Sequence, residues 1–167
     1  MDTLEAIKKR TSVRMYTNKP IDKKILDQIV EAGNLAPTAY GDQPWEFVVV
    51  INKKILANLG DIANSGKFIK DSAATIIVFC KNSKYFLEDG CAATQNMIIA
   101  ATALGIGTCW VAGDKKPYMD TVRELLGVPA DYKLVSLIPM GHPQKQTTTS
   151  KKRKASDVVH WEKFNGR

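Results

Sequence analysis

Arg10-Thr11-Ser12-Val13-Arg14-Met15-Tyr16 and, some twenty positions on, Ala36-Pro37-Thr38-Ala39-Tyr40-Gly41-Asp42-Gln43-Pro44-Trp45 are the two stretches on which the reading of this chain turns. The first places two guanidinium groups and two hydroxyls within five residues. An arginine side chain is a planar fork of donors suited to phosphate or to the polar edge of a heterocycle. Its ordinary explanation is a helix C-terminus, where cations are favoured by the dipole. The second stretch is a proline-bracketed turn with hydroxyl and amide groups, set just before an apolar strand.

Outward from these stretches, the pattern predicts alternating helices and strands. Asp2 and Glu5 form a capping-box-like start to a helix ending near Arg10. Asp22 opens a second helix, with Ile25, Leu26, Ile29 and Val30 at helical spacing and Gly33-Asn34 as its stop. Phe47-Val48-Val49-Val50-Ile51 reads as a strand buried on both faces, and Thr75-Ile76-Ile77-Val78-Phe79-Cys80 as a second. A short helix over 54–63 and a loop at 65–67 lie between them. The longest helix, 86–104, is apolar on nearly every side and needs burial on nearly every side, which a subunit interface would provide. Asp89 on it reads as a surface or interface charge. Residues 106–111 read as a strand, 112–114 as a turn, 120–126 as a helix and 134–140 as a last core strand. Residues 144–156 are polar and basic, and Val158-Val159-His160-Trp161 begins an apolar ending that suggests docking on another chain. The order lacks regular βαβ alternation, so the fold class is α+β: a central, mostly antiparallel sheet flanked by helices. No glycine-rich nucleotide loop follows any strand.

The 167 residues suggest one domain, 1–167, with 144–167 as an arm. No apolar run is long enough to span a membrane, and the acidic N-terminus lacks the apolar core of a secretory signal, so a cytoplasmic location is expected. Cys80, Cys91 and Cys109 are an odd number without metal-ligand spacing and read as buried free thiols. His142 and His160 lack partners at ligand spacing, so no metal is assigned. The net charge of +7 raises the question of nucleic-acid binding. The basic run near the C-terminus has no interleaved aromatics for stacking on bases; Thr147, Thr148 and Thr149 occupy its middle, and a nucleic-acid module is disfavoured.

Taken together, four segments resemble the nitroreductase family of FMN-dependent oxidoreductases. They are the R-x-S-x-R of 10–14, the A-P-T-A-Y-G-D-Q-P-W of 36–45, the L-G-I-G-T-C-W-V-A-G of 104–113, and the basic run ahead of V-V-H-W-E-K at 158–163. The resemblance implies the family's FMN-binding fold as an intertwined homodimer. It implies that Arg10, Thr11, Ser12 and Arg14 contact the phosphate, ribityl chain and pyrimidine side of FMN. Pro37, Thr38 and Gln43 would reach a flavin bound mainly by the other subunit. Gly41 stands where the family has Asn, so one amide contact is missing. Trp110, Val111, Ala112 and Gly113 would lie beside the ring, with the Ala112 and Gly113 N–H groups accessible near N5. Lys152 and Arg153 would close over the phosphate. Tyr40, Tyr85 and Phe86 are candidates for the substrate pocket. No side chain is assigned a catalytic role, because the flavin itself carries the electrons. The implied activity is hydride transfer from NADH or NADPH, or from a ferredoxin-like donor, through FMN to nitroaromatic, quinone or similar small-molecule oxidants by a ping-pong mechanism. Reductive dehalogenation, flavin breakdown and flavin storage are alternatives on the same fold.

Overall fold

A computed structural model describes residues 1–145 and 151–164. Helix α1 spans Thr3–Lys9; the Asp2 carboxylate caps it by accepting the Glu5 N–H at 3.0 Å. Helix α2 spans Lys23–Asn34 and is capped by Asp22. Strand β1 (Trp45–Val50) and helix α3 (Lys53–Ile62) follow, the latter capped by Asn52. A short 3-10 turn, Lys67–Asp71, leads into strand β2 (Ala74–Lys81). Helix α4 (Phe86–Ala103) is next, then β3 (Gly107–Thr108), β4 (Val111–Ala112), helix α5 (Met119–Leu125) and strand β5 (Tyr132–Gly141).

The sheet runs β1-β2-β5-β3, with β4 also on β5, and every pairing is antiparallel. Side chains alternate across β2: Ile76 and Val78 pack under α2 and α4, while Ile77 and Phe79 pack under α3 and α5. A strand covered on both faces needs no polar alternation, which is why its sequence is one apolar run. The register slips by one residue between Val78 and Phe79, leaving Val135 as the extra residue on β5. That bulge lies between two glycines. A Cβ on Gly90 would come within 2.7 Å of the Val135 side chain, and one on Gly113 within 3.0 Å of the Val135 carbonyl.

Two expectations change. Strand β1 is the sheet edge and is covered on only part of its surface, with Val49 41% exposed. Its β-branched run reports strand propensity, not the presence of a neighbour. The 106–111 strand is divided at Cys109 and Trp110, yet one register runs through both halves, because Thr108 faces Met140 and Val111 faces Leu137. Among the described residues no helix is long and apolar enough to cross a membrane.

Candidate functional site

After α1 the chain turns extended at Arg10, whose N–H closes the helix on Ala6. The Val13 N–H then donates to Thr108 O at 2.8 Å, and Ser12 bridges Thr108 in parallel. Val13 is buried against Gly107, where any Cβ would lie 2.8 Å from it. Strand alternation therefore sends Ser12 and Arg14 to the other side. Tyr16 locks the segment: its buried hydroxyl donates to Val13 O at 2.7 Å and lies 3.1 Å from Pro139 O. Burial pushes the Tyr16 phenol well above its ordinary range, so it stays a donor.

Cys109 shows what surrounds this segment. Burial pushes its thiol up, while the Arg14 charge, the nearby Ser12 hydroxyl and the Arg10 charge act in the opposite direction. Arg10, Ser12 and Arg14 therefore converge on one patch. The Arg14 guanidinium lies 5.9 Å from the centre of the Phe68 ring. Among the described residues neither arginine forms an ion pair with a carboxylate. Two cations without counter-charge beside a hydroxyl suit a phosphorylated ligand. Thr108 Oγ1 is buried with no hydrogen-bond partner among the described residues.

The strand edge supplies the second part. Cys109 N–H donates to Pro139 O at 3.2 Å and Gly113 N–H to Val135 O at 3.0 Å. In an antiparallel ladder the intervening residues turn their backbone groups away, so Trp110 and Ala112 present theirs outward. The Ala112 carbonyl accepts the Tyr118 hydroxyl, and the exposed Ala112 N–H faces away from β5. The expected accessible N–H on Gly113 is thus corrected: β5 occupies it. Gly113 is glycine because a Cβ would sit 2.5 Å from Leu134 Cγ.

The 36–45 turn is anchored elsewhere. It contains a 3-10 turn, Ala39–Gly41, and holds Tyr40 (φ 58°) and Gln43 (φ 45°) in the left-handed region. Each costs about 1–2 kcal/mol in a non-glycine residue. Ala39 N–H donates to Asp89 Oδ1 at 2.9 Å, and Thr38 Oγ1 lies 3.5 Å from the Gln43 nitrogen. The Tyr40 and Tyr85 rings are 5.8 Å apart at 52°, with Tyr40 mostly exposed, whereas Phe86 packs against the core under α4. Asp89 is not the surface charge expected of it: it is 4% exposed. Its place opposite a turn amide left no trace in helical periodicity. No described hydrogen bond or ion pair links this turn, including Pro37, to the 10–16 segment.

The two ends of the chain do approach one another. Gln144 N–H donates to Met15 O at 3.1 Å, and Thr17 N–H to His142 O at 2.9 Å. The arm then departs. Lys152 and Arg153 are exposed, with no described contact to Arg10 or Arg14, and Trp161 (80%) and Phe164 (81%) are nearly bare. Residues 146–150 and 165–167, including the threonine run, lie outside the described residues. The three cysteines are free, and Cys91 is only half-buried. Tyr118 and Phe68 were not anticipated, since nothing in their local sequence marks the contacts they make.

Sequence and structure comparisons agree with this geometry. A sequence model of the Nitroreductase family matches residues 7–89 and 73–142. An Archaeoglobus fulgidus protein provisionally named NADH dehydrogenase/NAD(P)H nitroreductase is 33% identical over 172 residues, covering 98% of this chain and 99% of that protein. A crystal structure of a similarly named protein from Bacteroides thetaiotaomicron superposes with a TM-score of 0.92 at 30% identity, covering 97% of this chain and 98% of that one. A Desulfovibrio desulfuricans protein, described as a nitroreductase in complex with FMN, superposes with a TM-score of 0.86 at 27% identity over 99% of both chains. With a family model matched over most of its length, a relative of 33% identity along nearly the whole chain and the same fold in a solved structure, the chain belongs to the nitroreductase family, a family of oxidoreductases.

Proposed function

We propose that this chain is an FMN-dependent oxidoreductase that acts as an intertwined homodimer. The observation that carries the reading is the uncompensated pair Arg10 and Arg14, converging with Ser12 on Cys109 beside the outward backbone of Trp110 and Ala112. Arg10, Thr11, Ser12 and Arg14 would hold the phosphate, ribityl chain and pyrimidine edge. Trp110 and Ala112 would line the ring, with Ala112 offering its N–H and the buried Val111 and Gly113 behind them. Held by these residues, FMN would supply the redox chemistry: hydride acceptance from NADH or NADPH and, in ping-pong order, electron delivery to nitroaromatic or quinone acceptors. The protein's own task is binding, orientation and control of access.

Unsatisfied apolar surface supports the dimer. Leu4, Ile7 and Leu35 are exposed, and Ile7 and Leu35 line a cleft of about 570 Å³ with Ile99 and Ala100 of α4. A second groove, about 330 Å³, runs along the β1 edge between Ile21, Val30 and Ile51. The bare arm of one copy is the natural cover for the other, bringing Lys152 and Arg153 toward a phosphate and Pro37, Thr38 and Gln43 toward the partner's flavin. Tyr40 and Tyr85 would then face the acceptor.

The test is steady-state oxidation of NADH and of NADPH by FMN-saturated protein, with and without a quinone or nitroaromatic acceptor. Acceptor-dependent turnover with parallel double-reciprocal lines is expected. Stoichiometric FMN without turnover from either nucleotide would overturn the nicotinamide step. Turnover with reduced ferredoxin alone would replace it with a protein donor, and absence of any acceptor turnover would favour another flavin task.

A further inference from the structure

Asp89 is a buried carboxylate that neither the cradle nor the core explains. It sits in the first turn of α4, 4% exposed. Oδ1 accepts the Ala39 N–H at 2.9 Å, while Oδ2 is shut from solvent with no hydrogen-bond partner among the described residues. Burying a half-satisfied carboxylate is unfavourable, and an apolar side chain would fill the same space more cheaply. Its partner is equally unusual. Ala39 opens a turn in which Tyr40, Gly41 and Gln43 all have positive φ. The turn's other bonds are weak or lie at its ends: Asp42 N–H to Ala39 O at 3.3 Å, Thr38 Oγ1 3.5 Å from Gln43 N, and Lys81 N–H to Pro44 O at 2.8 Å. Between its ends, the described hydrogen bond that ties the strained turn to the body of the chain runs to this carboxylate, beside the Tyr40–Tyr85 ring contact.

We infer that Asp89 is a positioning residue for the acceptor side of the site: by holding the Ala39 amide it fixes the turn that presents Tyr40. The inference rests on the flavin reading above. A strained loop persists only when its surroundings over-determine it, and such loops gather where a ligand is held. The helix N-terminus makes the site tolerable for a carboxylate, since the positive end of the α4 dipole lies beside it. The second oxygen adds nothing to the clamp, so the acceptor atom, not the charge, carries the function.

The experiment compares wild type, Asp89→Ala and Asp89→Asn, each saturated with FMN. Asparagine keeps an acceptor oxygen and should retain kcat/KM for a quinone acceptor within threefold. Alanine should lower it tenfold or more while flavin per chain and kcat/KM for the nicotinamide donor stay within threefold. Asparagine as poor as alanine, or alanine equal to wild type, overturns the inference. Amide exchange of Ala39 in wild-type protein gives a reading independent of any variant's folding. Protection of 100-fold or more is expected, and its absence also overturns the clamp. If the wild type takes up no FMN, the flavin reading fails by itself, and the Ala39 exchange still decides whether the clamp exists.

Discussion

The segment around Arg10–Arg14 and the arm from 151 to 164 are both basic and both assigned to the phosphate in the proposal, yet they are held in opposite ways. The first is fixed by its own chain: Val13 to Thr108, Tyr16 to Val13, and Gly107 leaving room for the Val13 side chain. The second makes a three-residue 3-10 turn, Ala155–Asp157, and otherwise shows its large apolar groups to solvent. In the proposed site, one half is built by folding and the other would come with assembly. A pre-ordered half lowers the entropic cost of capturing a ligand. A half supplied by a partner makes capture conditional on the dimer.

The largest expected effect tests the fixed half. Arg10→Ala with Arg14→Ala removes two charge-assisted contacts worth roughly 1.5–3 kcal/mol each. Isothermal titration should show FMN affinity lowered about 100-fold or more, with the dimer intact by sedimentation. Unaltered affinity would mean these arginines are only surface charges. Next comes the waiting half. Truncation after Lys145 should convert the dimer to monomer in sedimentation while circular dichroism keeps the sheet and helices. A truncated chain that remains dimeric would show that the α1–α4 face suffices alone.

Much of the fold was legible because it follows from local rules. The apolar run of β2 comes from burial on both faces, and Asp2 and Asp22 each cap a helix by accepting a backbone N–H. What escaped depended on neighbours. The edge position of β1 cannot be read from Val48, Val49 and Val50, because propensity does not say how many strands lie beside them. Gly113 looked like a residue with a free amide, but pairing with Val135 is a long-range fact. Asp89 looked exposed because charge on a helix usually is, and its partner lies 50 residues away. The 10–14 cluster was legible for the converse reason, since its chemistry lies in consecutive side chains.

Smaller effects sharpen the account of the fixed half. Gly113→Ala puts a Cβ 2.5 Å from Leu134 Cγ and 3.0 Å from the Val135 carbonyl oxygen. Strain of this kind costs about 1–3 kcal/mol, so chemical denaturation should show that loss, and a neutral result would mean β4 shifts freely on β5. The smallest effect is a pH dependence. Burial raises the folded Cys109 thiol above its ordinary value of 9.0, so above that the unfolded chain loses its proton first. Its stability contribution is therefore complete below pH 9 and is lost as pH rises toward the folded value. Between pH 8.5 and 10 the melting temperature should fall more steeply in wild type than in Cys109→Ala; equal slopes would place the thiol outside the wall of the site.

The most direct measurement is titration of the dialysed protein with FMN, followed by flavin absorbance and analytical ultracentrifugation on the same sample. The account predicts one FMN per chain, co-sedimenting with a dimer. A colourless protein that takes up no FMN at micromolar concentration would contradict it.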